Sequence, residues 1–553
     1  MPNNPYSTSS PGARRASLVG SLVGLTIGEK DVPVTFPMQV WNEQSMRYLR
    51  YWQWFDGTML NETRKVKSDN KEIEKYPLKL NPIRDFARKH AALLLGEEGG
   101  ETPYPMIRPL VTPKAKLNKE EYDEKSKEFA NFCENVLNEV WMNSYGRAIQ
   151  MENAVLQQFL GGCVFQASYI PLKDPRRKKF KVPIIFKNIL PDFFVPVWQS
   201  DDFWDLLEGF VVYRIPAAIA YSQFGYKATG GSVVGWVNYC EHWTRTSYSI
   251  FLNNQPLVEV INGEEFIYKD VPNDFGFVPF VYIPHTREGE FFGPSHVDDL
   301  EGLVKEFNAR IADLGDAIRD SVHRQRYTTD VANTKPKQLG NDVWATDLGQ
   351  TNIATKATPN VITEDPPSLG EGLTTFSEEV LWRQILRVGH MSNIAFGEDD
   401  VSQRSAIALA MRMFPTTAHS RQERTYWTEG LNLLGKMALR MLNVKKVVMD
   451  GITIPDDFEA GLHFAQDWLP QIPRDREQQV NEVILRFQAG LLSPERALAT
   501  LGDTEYIDEE ITLIKNWLTF QAGLGATSGP AKGAGTGAAE SMLAPKASDG
   551  MEE

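Results

Sequence analysis

The segment Gly430-Leu-Asn-Leu-Leu-Gly-Lys-Met437 satisfies seven of the eight positions of a phosphate-binding loop. Such a loop cradles phosphates with glycine amides at a helix N-terminus, reaches them with its lysine and holds magnesium with a closing Ser or Thr. Here the closing residue is Met437, and Leu431, Leu434, Met437, Ala438 and Met441 form a helical stripe with no strand leading into it. The segment reads as an amphipathic helix. Gly230-Gly-Ser232 lacks the closing glycine of a nucleophile elbow. The histidines contain no HExxH pattern, and His90 lies on the apolar face of a helix, where it reads as a core residue. Cys133, Cys163 and Cys240 match no metal-ligand spacing and read as small buried apolar residues. No paired carboxylates stand out from the many helical acids. The expectation is a protein with no catalytic residues, no metal ligands and no cofactor.

Charge is the remaining chemistry. Glu398, Asp399 and Asp400 are consecutive acids in a loop from Asn393 to Gln403, followed by Arg404. Arg324, Arg326, Lys335 and Lys337 gather early in a Pro/Gly/Thr/Asn-rich stretch, residues 323–367. Arg176-Arg-Lys-Lys179 sits at a hairpin-like break and reads as a solvated turn. The balance is acidic, 58 Lys+Arg against 72 Asp+Glu for a formal charge of -14, which opposes tight wrapping on nucleic acid but not DNA sliding past.

The elements that position these groups are mostly helical. Between residues 294 and 322, Val297, Leu300, Val304, Phe307, Ile311, Leu314, Ile318 and Val322 alternate in threes and fours, one stripe on a charged helix. At 1.5 Å per residue it runs roughly 40 Å. A return helix is expected after Pro366-Pro367, with Ser368 and Glu371 as a capping box and Leu373, Phe376, Val380, Leu381, Ile385, Val388 and Met391 as its stripe. A long helix follows from about Arg404 to Asn443, with a candidate kink at Pro415. Asn81-Pro82 opens an earlier helix with a capping residue, two more span 118–160, and Gly161-Gly162 ends the second. From Cys163 to Pro284 the apolar period becomes two, so a mixed β region follows. Three compact helices close the folded part, with Gly490 and Ser493-Pro494-Glu495 as stop and start.

A length of 553 residues with 42% hydrophobic and 11% aromatic residues supports several globular cores. Sparse cysteine implies a reducing compartment. Ser17–Gly28 is too mildly apolar for a signal peptide, and no run reaches the roughly 20 apolar residues of a membrane span. The reading is a soluble protein made in the cytoplasm, with no membrane partner.

In this order the chain resembles the portal proteins of tailed double-stranded DNA bacteriophages, the head-to-tail connectors, in the form found in long-tailed phages. The likeness covers most of residues 35–520. It rests on Phe277-Val-Pro-Phe-Val-Tyr-Ile-Pro284 with Gly293-Pro-Ser-His-Val-Asp-Asp-Leu300 and Glu306-Phe-Asn308, on Ser402-Gln-Arg-Ser-Ala-Ile-Ala-Leu409, and on Pro473-Arg-Asp475 with Ala489-Gly-Leu-Leu-Ser-Pro-Glu-Arg-Ala-Leu498. The resemblance implies a predominantly helical α+β portal fold, assembling as a ring. Its parts would be a flexible arm (1–34), wing (35–293), first stem helix (294–322), clip (323–367), second stem helix (368–392) and tunnel loop (393–403). A long helix returning to the wing (404–473), a helical crown (474–520) and a disordered tail (521–553) would follow.

The family forms a homo-oligomer, usually of twelve subunits, at one capsid vertex of the virion. It passes DNA inward for the terminase motor and outward at ejection, and meets head-tail adaptor, capsid and scaffolding proteins. On this likeness Glu398, Asp399 and Asp400 form an acidic collar facing DNA, with Gln403 and Arg404 as attractive contacts. Arg324, Arg326, Lys335 and Lys337 become clip contacts to terminase and adaptors. Val297, Leu300, Val304, Phe307, Ile311, Leu314 and Ile318 become stem packing. The alternative is another virion structural protein, a capsid or baseplate component.

Overall fold

In the computed structural model the described residues are 38–61, 65–68, 71–74, 79–96, 104–109, 119–170, 174–226, 235–261, 264–322, 326–328, 337–338, 343–345, 361–363, 372, 374–396, 406–468, 476–501, 510–517 and 519. The chain divides into two compact units, Met1–Ile472 and Pro473–Glu553.

The first element among the described residues is α1 (Met38–Asp56), which buries Trp41, Tyr48, Tyr51, Trp52 and Trp54. Helix α2 (Pro82–Leu95) begins on a proline whose fixed φ suits a first turn. Asn81 does not cap it, contrary to the sequence expectation. Its Nδ2 instead donates to the carbonyls of Trp54 and Phe55, both at 2.9 Å, joining the end of α1 to the start of α2. Helices α3 (Lys119–Asn143) and α4 (Gly146–Leu160) follow across a turn at Tyr145, where φ is 54°. Gly161 ends α4 in the left-handed region, φ 77°. The spot also demands glycine for space. A Cβ on Gly161 would lie 2.1 Å from the Gly293 carbonyl oxygen, so two backbone segments touch there.

Among the described residues the period-two region forms three antiparallel sheets, one of them the hairpin of Val258–Ile261 and Glu264–Ile267. A second has the order Phe280–Pro284, Gly162–Tyr169, Ile184–Ile189. The third is a meander through Phe194–Trp198, Leu206–Pro216, Trp236–Thr244, Ser247–Leu252 and Gln255–Pro256, with Val271–Pro272 added on Ser247–Leu252. Helix α5 (Ala217–Phe224) packs on the meander. The basic run at 176–179 falls at the short helical turn Pro175–Lys178 between two paired strands.

Helix α6 (His296–Val322) comes next. A four-stranded sheet follows, in the order Lys337–Gln338, Val343–Ala345, Arg326–Thr328, Val361–Thr363. Further on, a π-helical stretch, Phe376–Trp382, leads into α7 (Arg383–Val388). Helix α8 (Ala406–Val444) runs on through Pro415, and the strand Leu462–Asp467 pairs with distant Tyr104–Pro109. Two cores result. One joins α3, α8 and the three-stranded sheet around Cys133, Phe165, Phe186, Ile283, Trp427 and Leu434. The other joins α1, α2, α4, α6 and α7 around Trp52, Phe86, Phe159, Leu300 and Ile385.

In the second unit α9 (Arg476–Gln488) leads to Gly490, at φ 69°, and α10 (Pro494–Leu501) packs on it. Ser493 Oγ accepts the Arg496 amide at 3.3 Å, the side-chain cap expected before a helix-opening proline.

Candidate functional site: the long helix, its return and their root

Helix α6 is anchored at its start. Ser295 Oγ donates to the Phe159 carbonyl at 2.6 Å and accepts the Val297 amide at 3.0 Å, so it caps α6 and ties it to α4. Asp298 and Asp299 place negative charge in the first turn, where the helix dipole favours it, and Asp298 is bonded by Arg50 and Tyr51 of α1. The stripe divides along its length. Val297, Leu300 and Val304 are fully buried and Phe307 nearly so, packed in the chain's own core against α1, α2 and α4. Ile311 and Leu314 are half-buried, and Ile318 is 57% exposed. On the charged face Arg310 reaches Glu306 at 2.7 Å and Asp313 at 3.0 Å.

The return lies back along α6. Trp382 packs on Phe307 with ring centroids 5.7 Å apart, and Leu381 and Ile385 join the same core. The π-helical stretch widens the turn, so Ser377 and Leu381 face inward while Phe376 and Val380 stay 40% and 44% exposed. The expected stripe of Phe376 and Val380 is therefore displaced by the extra residue per turn. Beyond α7, Asn393–Phe396 forms a short helical turn held by Lys89, which donates to the Ala395 carbonyl, and by Phe396 between Phe86 and Trp382. Glu398, Asp399, Asp400, Gln403 and Arg404 lie outside the described residues, as do Arg324 and Lys335. Arg326 opens a central strand of the four-stranded sheet, and Lys337 is on its edge strand. The phosphate-loop look-alike is interior to α8, with Gly430 against Ile283, and no strand leads into it.

A polar cluster at the root of α6 escaped the sequence reading. His285 follows the strand Phe280–Pro284, His296 opens α6, and His419 and Glu423 sit four apart on α8. One ligating atom from each lies within 4.8 Å of all the others. His285 Nε2 is 2.7 Å and His419 Nε2 3.3 Å from Glu423 Oε1, and Gln158 Nε2 donates to that oxygen at 3.0 Å. His90 stacks on His296 at 4.8 Å and His390 on His419 at 4.5 Å. Burial would raise the Glu423 carboxyl, but the His285 and His419 imidazoles hold it well below the usual carboxylate range. Burial pushes His296 well below the usual imidazole value, helped by its histidine neighbours, and His90 down to about 4. The local sequence signal was the His419/Glu423 spacing. His90 is a core residue, as read, but in this company.

Among the described residues no helix is long and apolar enough to cross a membrane. No curated protein matches the chain. The family described as "Phage portal protein, SPP1 Gp6-like" matches residues 178–517, a span that includes α6, the small sheet, the return, α8, α9 and α10. With more than half of its length matched, this chain belongs to the SPP1 Gp6-like phage portal protein family.

Proposed function

We propose that the chain is the subunit of a portal ring at one capsid vertex, through which DNA is packaged by a terminase motor and later ejected. The observation that carries this reading beyond family membership is the succession of α6, a small sheet, and a return that packs back along α6. In a ring this becomes a stem pair with a clip at its far end. Beyond Ile311, which still packs against the edge of the chain's own core, the stripe stays apolar through Leu314 to the 57% exposed Ile318, which suits packing on a neighbouring subunit.

The remaining assignments follow that frame. Residues 35–293 with part of 404–473 make the wing, and 474–520 the crown. The loop 393–403 faces DNA with Glu398, Asp399 and Asp400 as a negative collar, and Gln403 and Arg404 supply few attractions. An acidic wall keeps the polymer mobile, whereas each phosphate neutralised would add salt-sensitive drag. Arg324, Arg326, Lys335 and Lys337 in the clip meet terminase during packaging and head-tail adaptors afterwards. Twelve subunits, contacts with capsid and scaffolding proteins, assembly in the host cytoplasm and residence in the virion complete the proposal.

Electron microscopy of the purified chain, with native mass measured alongside, tests it. Rings with an axial hole and a narrower stalk are expected. A discrete monomer or dimer that forms no rings at high concentration would overturn the proposal.

A further inference from the structure

We infer that His285, His296, His419 and Glu423 form a structural site for one divalent transition-metal cation, of the zinc class, that pins the root of α6 to α8 and the three-stranded sheet. This stands apart from the ring proposal and rests on the first unit alone.

Buried polar atoms are almost always partnered. Here His285 Nε2, His296 Nε2, His419 Nε2 and Glu423 Oε2 are buried and lack a hydrogen-bond partner among the described residues. His285 Nε2 and His419 Nε2 lie 2.7 and 3.3 Å from Glu423 Oε1, the other oxygen of that carboxylate. Ligand atoms from three separate elements therefore gather within 4.8 Å of one another. The donor set, three imidazoles and a carboxylate, suits borderline divalent cations, and four protein ligands with no open position mark a structural rather than catalytic site.

The spacing is compatible. A tetrahedral ion about 2.0–2.1 Å from each donor sets the donors about 3.3 Å apart. The four donors already lie within 4.8 Å of one another, so small side-chain rotations close the shell. Each ligand is held from behind. The His285 amide donates to the Gly161 carbonyl at 2.9 Å, and His296 follows directly on Ser295, which is bonded to Phe159. His419 and Glu423 share one face of α8 through their i, i+4 spacing. Gln158 orients the carboxylate, and the His90 and His390 rings wall the site, the kind of outer support metal ligands require.

The test uses the untagged full chain. Elemental analysis after incubation with zinc and desalting is expected to give one ion per chain. After chelation, cobalt(II) should restore the strong visible absorption of a tetrahedral site, and chelator should lower the unfolding temperature. His419→Ala should lose the ion and the absorption, whereas His463→Ala, on an exposed strand position, should keep both. Wild-type protein that holds no stoichiometric ion, shows only the pale spectrum of octahedral cobalt, or unfolds at the same temperature with and without chelator overturns the inference. So does a folded His419→Ala that retains the ion. If that variant does not fold, the wild-type metal content and cobalt spectrum decide alone.

Discussion

Gly430 and Gly302 are both helical glycines, yet replacing each with alanine should move stability in opposite directions. Gly302 lies on the exposed face of α6, and a Cβ there would meet nothing within 4 Å. Its replacement should stabilise the isolated chain by about 0.5–1 kcal/mol, the helix-propensity difference. At Gly430 the new Cβ would lie 2.4 Å from Ile283 Cγ1 and 2.5 Å from Cδ1, about 1 Å inside normal carbon contact. Ile283 is fully buried in the strand Phe280–Pro284 and cannot step aside without disturbing Cys163 across the sheet. Overpacking of this kind costs about 1–3 kcal/mol, which outweighs the propensity gain and leaves Gly430→Ala about 1–2 kcal/mol less stable. Ile283→Ala alone should cost about 2–5 kcal/mol through its cavity. The double variant should be better than the sum by about 1–3 kcal/mol, because the added methyl enters the vacated space. Urea unfolding followed by tryptophan fluorescence measures all four. Additivity within about 0.5 kcal/mol, or a Gly430→Ala as stabilising as Gly302→Ala, would refute the reasoning.

The division of the α6 stripe separates folding from assembly. Leu300→Ala should destabilise the chain itself by about 2–5 kcal/mol, as for any filled core site. Ile311→Gln with Leu314→Gln should leave the chain folded but shift ring formation to higher concentration by tenfold or more, read by sedimentation velocity; unchanged assembly would remove the stripe from the subunit contact. Burial pushes the Cys133 and Cys240 thiols up to about 12 and raises Cys163 as well, so none should react with Ellman's reagent in native protein and all three should react in guanidinium. His242 is stacked on Phe210 and lies 2.9 Å from Glu208, and burial lowers its pKa despite that carboxylate. Because its folded pKa lies below the unfolded value of about 6.5, the unfolded chain takes up the proton first, and stability from this site is lost as pH falls below about 6.5. His242→Phe should show a shallower loss of stability between pH 7 and 5 than wild type, and an equal slope would exclude the site as a contributor.

The amino-acid sequence determined features whose signal is local. The α6 stripe announced itself through its alternating spacing, Gly161 through the αL cap that ends α4, the Ser493-Pro494 start through its cap, and the strands from Gly162 to Pro284 through their period of two. The run out along one helix and back along another was legible for the same reason, but the small sheet between them was not. Tertiary structure alone decided matters that depend on which surfaces meet. It chose which half of the stripe enters the chain's own core, moved Phe376 and Val380 outward through a π-helical turn, and set Asn81 to bridge two helices rather than cap one. It also paired Leu462–Asp467 with Tyr104–Pro109 and gathered His285, His296, His419 and Glu423 into one point. Periodicity reports that a face is apolar but not what covers it, and ligands drawn from a strand end, a helix start and a distant helix leave no common spacing in the chain.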